Sequence, residues 1–103
     1  MDFDEVSVTS QFVRRDTTSI ELLSFHDPAP FGSRERRAVN QLGLTHLSFR
    51  VRDVAGTVAR IVELGGAVVE ASRTEIDLGG AALEFVYCTD PDGVRVELMN
   101  LEG

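Results

Sequence analysis

Three residues of this chain combine a type and a setting that could do chemistry: Glu21 in Ser19-Ile20-Glu21-Leu22-Leu23-Ser24-Phe25, His46 in Leu44-Thr45-His46-Leu47-Ser48-Phe49-Arg50, and Glu97 in Val94-Arg95-Val96-Glu97-Leu98-Met99. Each interrupts an alternating apolar run, and along a strand successive side chains point to opposite faces. A strand that buries its apolar face against a helix turns its other face to water, a partner cation or a metal site. Pairing of the three segments in one curved, antiparallel or mixed sheet could gather the three side chains on the face opposite the helices. Neutral imidazole and carboxylate oxygens form a hard-to-borderline donor set suited to Zn, Ni, Co, Mn or Fe(II). No short-range ligand motif accompanies them. The competing structural readings are an ion pair between Glu97 and Arg95, which share a face, and a satisfied core or surface histidine at 46.

The elements that must position these residues follow from pattern and punctuation. Residues 3–13 read as a strand, Arg14 to Thr18 as a hairpin connection, and Ser19 to Phe25 as the second strand. His26 to Ser33 reads as a loop, with His26 a turn residue, and the arginine-rich Arg34-Glu35-Arg36-Arg37 as a solvated segment leading to Gly43. Leu44 to Arg52 is the third strand. Asp53 is placed to cap a helix running to about Leu64, whose Val54, Val58, Ile61 and Val62 recur at helical spacing and whose exit is Gly65-Gly66. Gly56 inside it costs about 1 kcal/mol against Ala, which packing must offset. Strands over 67–76, 81–89 and 94–101 complete the chain. Asp90-Pro91-Asp92-Gly93 between the last two has the residues of a type I turn. Cys88 and Val86 alternate together as small core residues, and Tyr87, Phe85 and Leu83 share the other face as packing residues.

At 103 residues the chain holds one small domain. A net charge of −7 argues against general affinity for nucleic acid, which needs a basic face. The absence of a bilayer-length apolar run and of a basic-then-apolar leader points to a cytoplasmic protein, and a single cysteine fits a reducing compartment.

Three stretches carry a family resemblance: GLTHLSFRV from Gly43 to Val51, the Gly65-Gly66 helix exit, and TDPDGVRVEL from Thr89 to Leu98. With them the chain, over residues 19 to 101, resembles the vicinal oxygen chelate superfamily, which includes glyoxalase I, bleomycin-resistance proteins, methylmalonyl-CoA epimerase and extradiol dioxygenases. The resemblance implies an α+β fold of βαββ modules with a curved mixed sheet. Here the first module is incomplete: residues 1–25 supply its closing strands, 26–43 link the modules, and 44–103 form a complete second module. Ile20 and Leu22 then offer a face that needs cover, from residues upstream of Met1 or from another subunit, so a homodimer or a truncated form is expected.

By the same resemblance Glu21, His46 and Glu97 correspond to ligands of a divalent metal ion. The fourth ligand, a His or Gln in the opening strand of the first module, has no counterpart. Glu21 places the chain with the glyoxalase and epimerase branch, implying metal-assisted proton transfer on a small substrate with vicinal oxygens, with Glu97 or Glu21 as base. The alternatives are an Fe(II) extradiol-type dioxygenase and a non-catalytic small-molecule-binding protein like the bleomycin-resistance proteins.

Overall fold

The computed structural model describes residues 5–102. The elements in order are β1 (Ser7–Arg15), β2 (Thr18–Asp27), β3 (His46–Arg50), α1 (Val54–Glu63), β4 (Ala67–Asp77), β5 (Ala82–Thr89) and β6 (Arg95–Glu102). The chain divides into two compact units, the first ending at Gly32 and the second beginning at Ser33.

In the first unit β1 and β2 form an antiparallel hairpin that pairs Arg15 with Thr18. The connection is tighter than the five residues expected: only Asp16 and Thr17 lie between the strands, and Asp16 takes φ 56, the left-handed region that two-residue hairpins favour. The expected start of the first strand at Phe3 lies outside the described residues. His26 is not in a loop, because the ladder runs on to Asp27 and its Nε2 sits 2.7 Å from the Thr9 hydroxyl. Register places Phe12 and Leu23 on one face and Val13 and Leu22 on the other, all four exposed. A two-stranded ribbon is marginally stable by itself, so the need for cover read from Ile20 and Leu22 extends to both faces.

The second unit is a four-stranded mixed sheet in the order β3-β6-β5-β4, with α1 packed on one face. β3 runs parallel to β6, while β5 pairs antiparallel with both of its neighbours. The core joins Val54 and Val58 of the helix to Val86, Cys88 and Leu98 of the sheet, with Val51, Ile61, Val68 and Val96 packed around them. The alternation of β5 and β6 sends 86, 88, 96 and 98 toward the helix, and therefore 85, 87, 95, 97 and 99 away from it.

Asp53 caps the helix, its carboxylate accepting from the Gly56 amide at 2.9 Å. A methyl at position 56 would collide with that carboxylate, so Gly56 is explained by the cap and not by the packing expected to offset it. At the other end Gly66 N donates to Ile61 O and Gly65 N to Val62 O, the paired bonds of a Schellman ending, with Gly65 at φ 98. The Asp90 turn is closed by Gly93 N to Asp90 O at 3.0 Å, and the Asp90 carboxylate takes the amides of Asp92 and Val94. Gly93, at φ 86, also lies where any Cβ would meet the Arg34 carbonyl, so this turn seats the segment that precedes β3.

β4 is not the uninterrupted strand its sequence suggests. Its pairing with β5 breaks between Val69 and Thr74, and Ser72 fills the gap, its hydroxyl donating to Val69 O while accepting from Tyr87 N at 2.8 Å. The bulge thus leaves no orphan amide where Tyr87 is presented.

Replacing Leu98, 2% exposed, with Ala is expected to lower stability by about 2–5 kcal/mol through cavity formation. Asp53→Ala is expected to cost about 1 kcal/mol through loss of the cap. Urea denaturation followed by circular dichroism measures both.

Candidate functional site

The parallel ladder sets His46 beside Arg95 and Ser48 beside Glu97. The antiparallel ladder sets Tyr87 beside Glu97. The helix-free face therefore carries His46 and Ser48 from β3, Arg95 and Glu97 from β6, and Tyr87 from β5, three adjacent strands. Farther along the same face come Phe85, Leu83, Met99 and Leu101, a half-exposed apolar floor. Polar groups converging at one end of an apolar wall are the usual make-up of a small-molecule site.

The local geometry orients each polar group. The His46 Nδ1 lies 3.0 Å from the Thr45 hydroxyl, which leaves Nε2 for a ligand. Its ring meets the Tyr87 ring edge-on, with centroids 5.2 Å apart. Glu97 accepts a hydrogen bond from the Ser48 hydroxyl at Oε1, which leaves Oε2 for a ligand. Arg95 makes no ion pair with Glu97. Its guanidinium instead stacks over Tyr87, 4.9 Å from the ring centroid, and Nη2 donates to the Arg37 carbonyl at 2.8 Å. The structural reading of Glu97 as half of an ion pair is thereby corrected: two residues apart on one face, Arg95 reaches back toward the segment before β3 and Glu97 reaches across to Ser48.

That segment is tied down by its own arginines. Arg37 donates to the carbonyls of Leu42 (2.8 Å) and Leu44 (3.2 Å), and Arg34 lies 3.4 Å from Asp92. These side chains are exposed, as their composition suggested, yet they fix the loop whose carbonyl meets Arg95.

Glu21 belongs to the first unit, where its Oε2 accepts from the Ser10 hydroxyl on the neighbouring strand at 2.6 Å. Both strand acids are thus held by a serine across the ladder. Within the second unit His46 and Glu97 share a face of adjacent strands and present two donors of the kind a divalent ion takes. Among the described residues no group of three or more His, Cys, Asp or Glu side chains is placed to hold a metal ion. Sequence reasoning missed Ser48 and Arg95 and took Tyr87 for simple packing. The parity of Tyr87 and Arg95 with Glu97 was available as a signal, but the register joining the strands was not.

On the opposite face Cys88 is fully buried, and burial pushes its thiol above the ordinary range, with Arg73 lowering it and Glu70 raising it by smaller amounts. It is core, not site.

A strand-helix-strand-strand-strand unit whose polar groups gather on the helix-free face of a mixed sheet defines an α+β protein of the glyoxalase type. The chain belongs to the glyoxalase/bleomycin resistance protein/dioxygenase superfamily, whose profile matches residues 1–98. Among solved structures it is similar to a glyoxalase family protein from Bacillus cereus, with TM-score 0.64 and 24% identity over 82% of this chain. It is also similar to a glyoxalase family protein from Enterococcus faecalis, with TM-score 0.51 and 26% identity over 87% of this chain. The chain spans 54% of the first protein's length and 65% of the second's. No curated protein matches it. Among the described residues no helix is long and apolar enough to cross a membrane.

Since thiolate is the reactive form, the Cys88 thiol is expected to resist iodoacetamide at pH 8 in the folded protein and to react fully in 6 M guanidinium, as read by intact mass.

Proposed function

We propose that this chain supplies part of a metal-dependent site for proton transfer on a small substrate with vicinal oxygens. The single observation that carries the reading is the placement of His46 and Glu97 on one face of adjacent strands, each with one donor atom engaged by a neighbouring hydroxyl and one left for a ligand. Such hydroxyl bonds fix ring and carboxylate orientation before a ligand arrives. His46 Nε2 and Glu97 Oε2 of one chain would hold the ion, with Glu21 of a second copy of the chain as a further donor. Two donors do not complete a coordination shell, so the reading includes a second copy of the chain as the source of the remainder. A divalent ion, when bound, polarises adjacent substrate oxygens and acidifies the neighbouring C–H.

The chain's own groups do the rest. Glu97 is the base, taking the proton on Oε2 in place of the ion while Ser48 steadies Oε1. Glu21 of the second copy, steadied in the same way by Ser10, is the other candidate base. Tyr87, Phe85 and Met99 form the wall against which the carbon skeleton rests.

A second reading, a binding protein without catalysis, is favoured by the absence of a three-donor group among the described residues. Native mass spectrometry with elemental analysis separates the two. The enzyme reading expects a dimer carrying Zn, Ni, Co, Mn or Fe, with the metal lost in His46→Ala and Glu97→Ala. Metal uptake unchanged by both substitutions would overturn it and leave the binding protein. Proton transfer would then be read as solvent-deuterium exchange into a bound 2-oxo compound, whereas oxygen uptake with a catechol would mark a dioxygenase instead.

A further inference from the structure

Arg95, on the helix-free face, is the buried charged side chain among the described residues, only 7% exposed. Among the described residues its hydrogen-bond acceptor is the Arg37 carbonyl, at Nη2, and its Nε is closed off from solvent with no acceptor. Among the described residues no carboxylate pairs with it, although the chain carries 17 acidic residues against 10 basic ones. Glu97, two residues away on the same face, is engaged by Ser48. A buried cation without a counter-charge is costly, and a carbonyl and a ring face offset only part of that cost. Its location is informative. Arg95 is the ladder partner of His46 and lies over the same Tyr87 ring that His46 meets edge-on.

We propose that Arg95 is the anchor for an anionic group, a carboxylate, on the small molecule that this face binds, and so selects acids over their neutral analogues. The inference rests on the reading of the helix-free face as the binding site, and not on the presence of a metal. The planar guanidinium matches a carboxylate in shape as well as charge, which an ammonium in its place would not. With the acid group at Arg95, the carbons and oxygens next to it fall along β6 toward Glu97 and across to His46, which places a vicinal oxygen beside the two donors. Tyr87 then has a defined role as a positioning residue, holding Arg95 by its face and His46 by its edge.

The test titrates the purified chain with glycolate and with its neutral analogue glycolamide, by calorimetry and by the NMR signals of the arginine Nε–H groups, before and after treatment with a chelator. The expected result is glycolate binding at least tenfold tighter than glycolamide, a saturable shift of the Arg95 Nε–H with glycolate alone, and loss of the preference in Arg95→Met. Equal affinities, or an Arg95 signal unmoved at saturating glycolate, would overturn the proposal. Should Arg95→Met fail to fold, the wild-type NMR titration decides. A preference that survives in the chelator-treated protein upholds the Arg95 anchor even where metal binding at His46 and Glu97 fails. Retained metal with no acid preference removes the anchor alone.

Discussion

The parallel pairing of β3 with β6 is the constraint on which the rest of the second unit depends. Antiparallel neighbours can be joined by a two-residue turn, but parallel strands need a crossover long enough to bring the chain back to its starting end. Here the return begins with α1, and β4 and β5 complete it before β6 slots against β3. The crossover helix therefore has to lie on one face of the sheet, and its apolar stripe makes that face the core. His46, Ser48, Tyr87, Arg95 and Glu97 are left to the other face. The site is what remains when one side of the sheet has been used to fold the unit.

Buried and polar requirements meet at β5. Val86 and Cys88 are packed under the helix while Tyr87, between them, is turned to the site, so a shift of one residue would exchange core for site. The Ser72 bulge protects this register, because it satisfies the Tyr87 amide where β4 departs from the ladder. A similar economy holds before β3, where the Asp90–Gly93 turn, the Arg34 carbonyl and the Arg37 hydrogen bonds bring one backbone carbonyl to the Arg95 guanidinium. Turn geometry and site electrostatics are thus coupled through the segment that leads into β3.

The two units differ in how far they satisfy their own apolar surface. The second buries a contiguous cluster between helix and sheet. The first is a hairpin with apolar side chains on both faces, and a ribbon of that kind gains too little from its own burial to offset the entropy of ordering it.

What the sequence determined by itself is local. The Asp53 cap, the Gly65-Gly66 exit, the Asp90-Pro91-Asp92-Gly93 turn and the alternation of β5 and β6 were legible because each is set by bonds within a few residues, and the motif around Glu97 carried the family. His46 and Glu97 were legible as site candidates because each broke an apolar strand with a group that has chemistry. Gly56 was legible as an anomaly but not in its cause, which is the position of the Asp53 carboxylate. Tertiary structure alone decided the rest: which strand lies beside which, in what register, and hence that Ser48 holds Glu97, that the Tyr87 ring meets both His46 and Arg95, and that Arg95 turns from Glu97 to a carbonyl 58 residues away in the chain. Such contacts join residues whose sequence spacing carries no periodic signal, and only the closing of the sheet over its helix selects them.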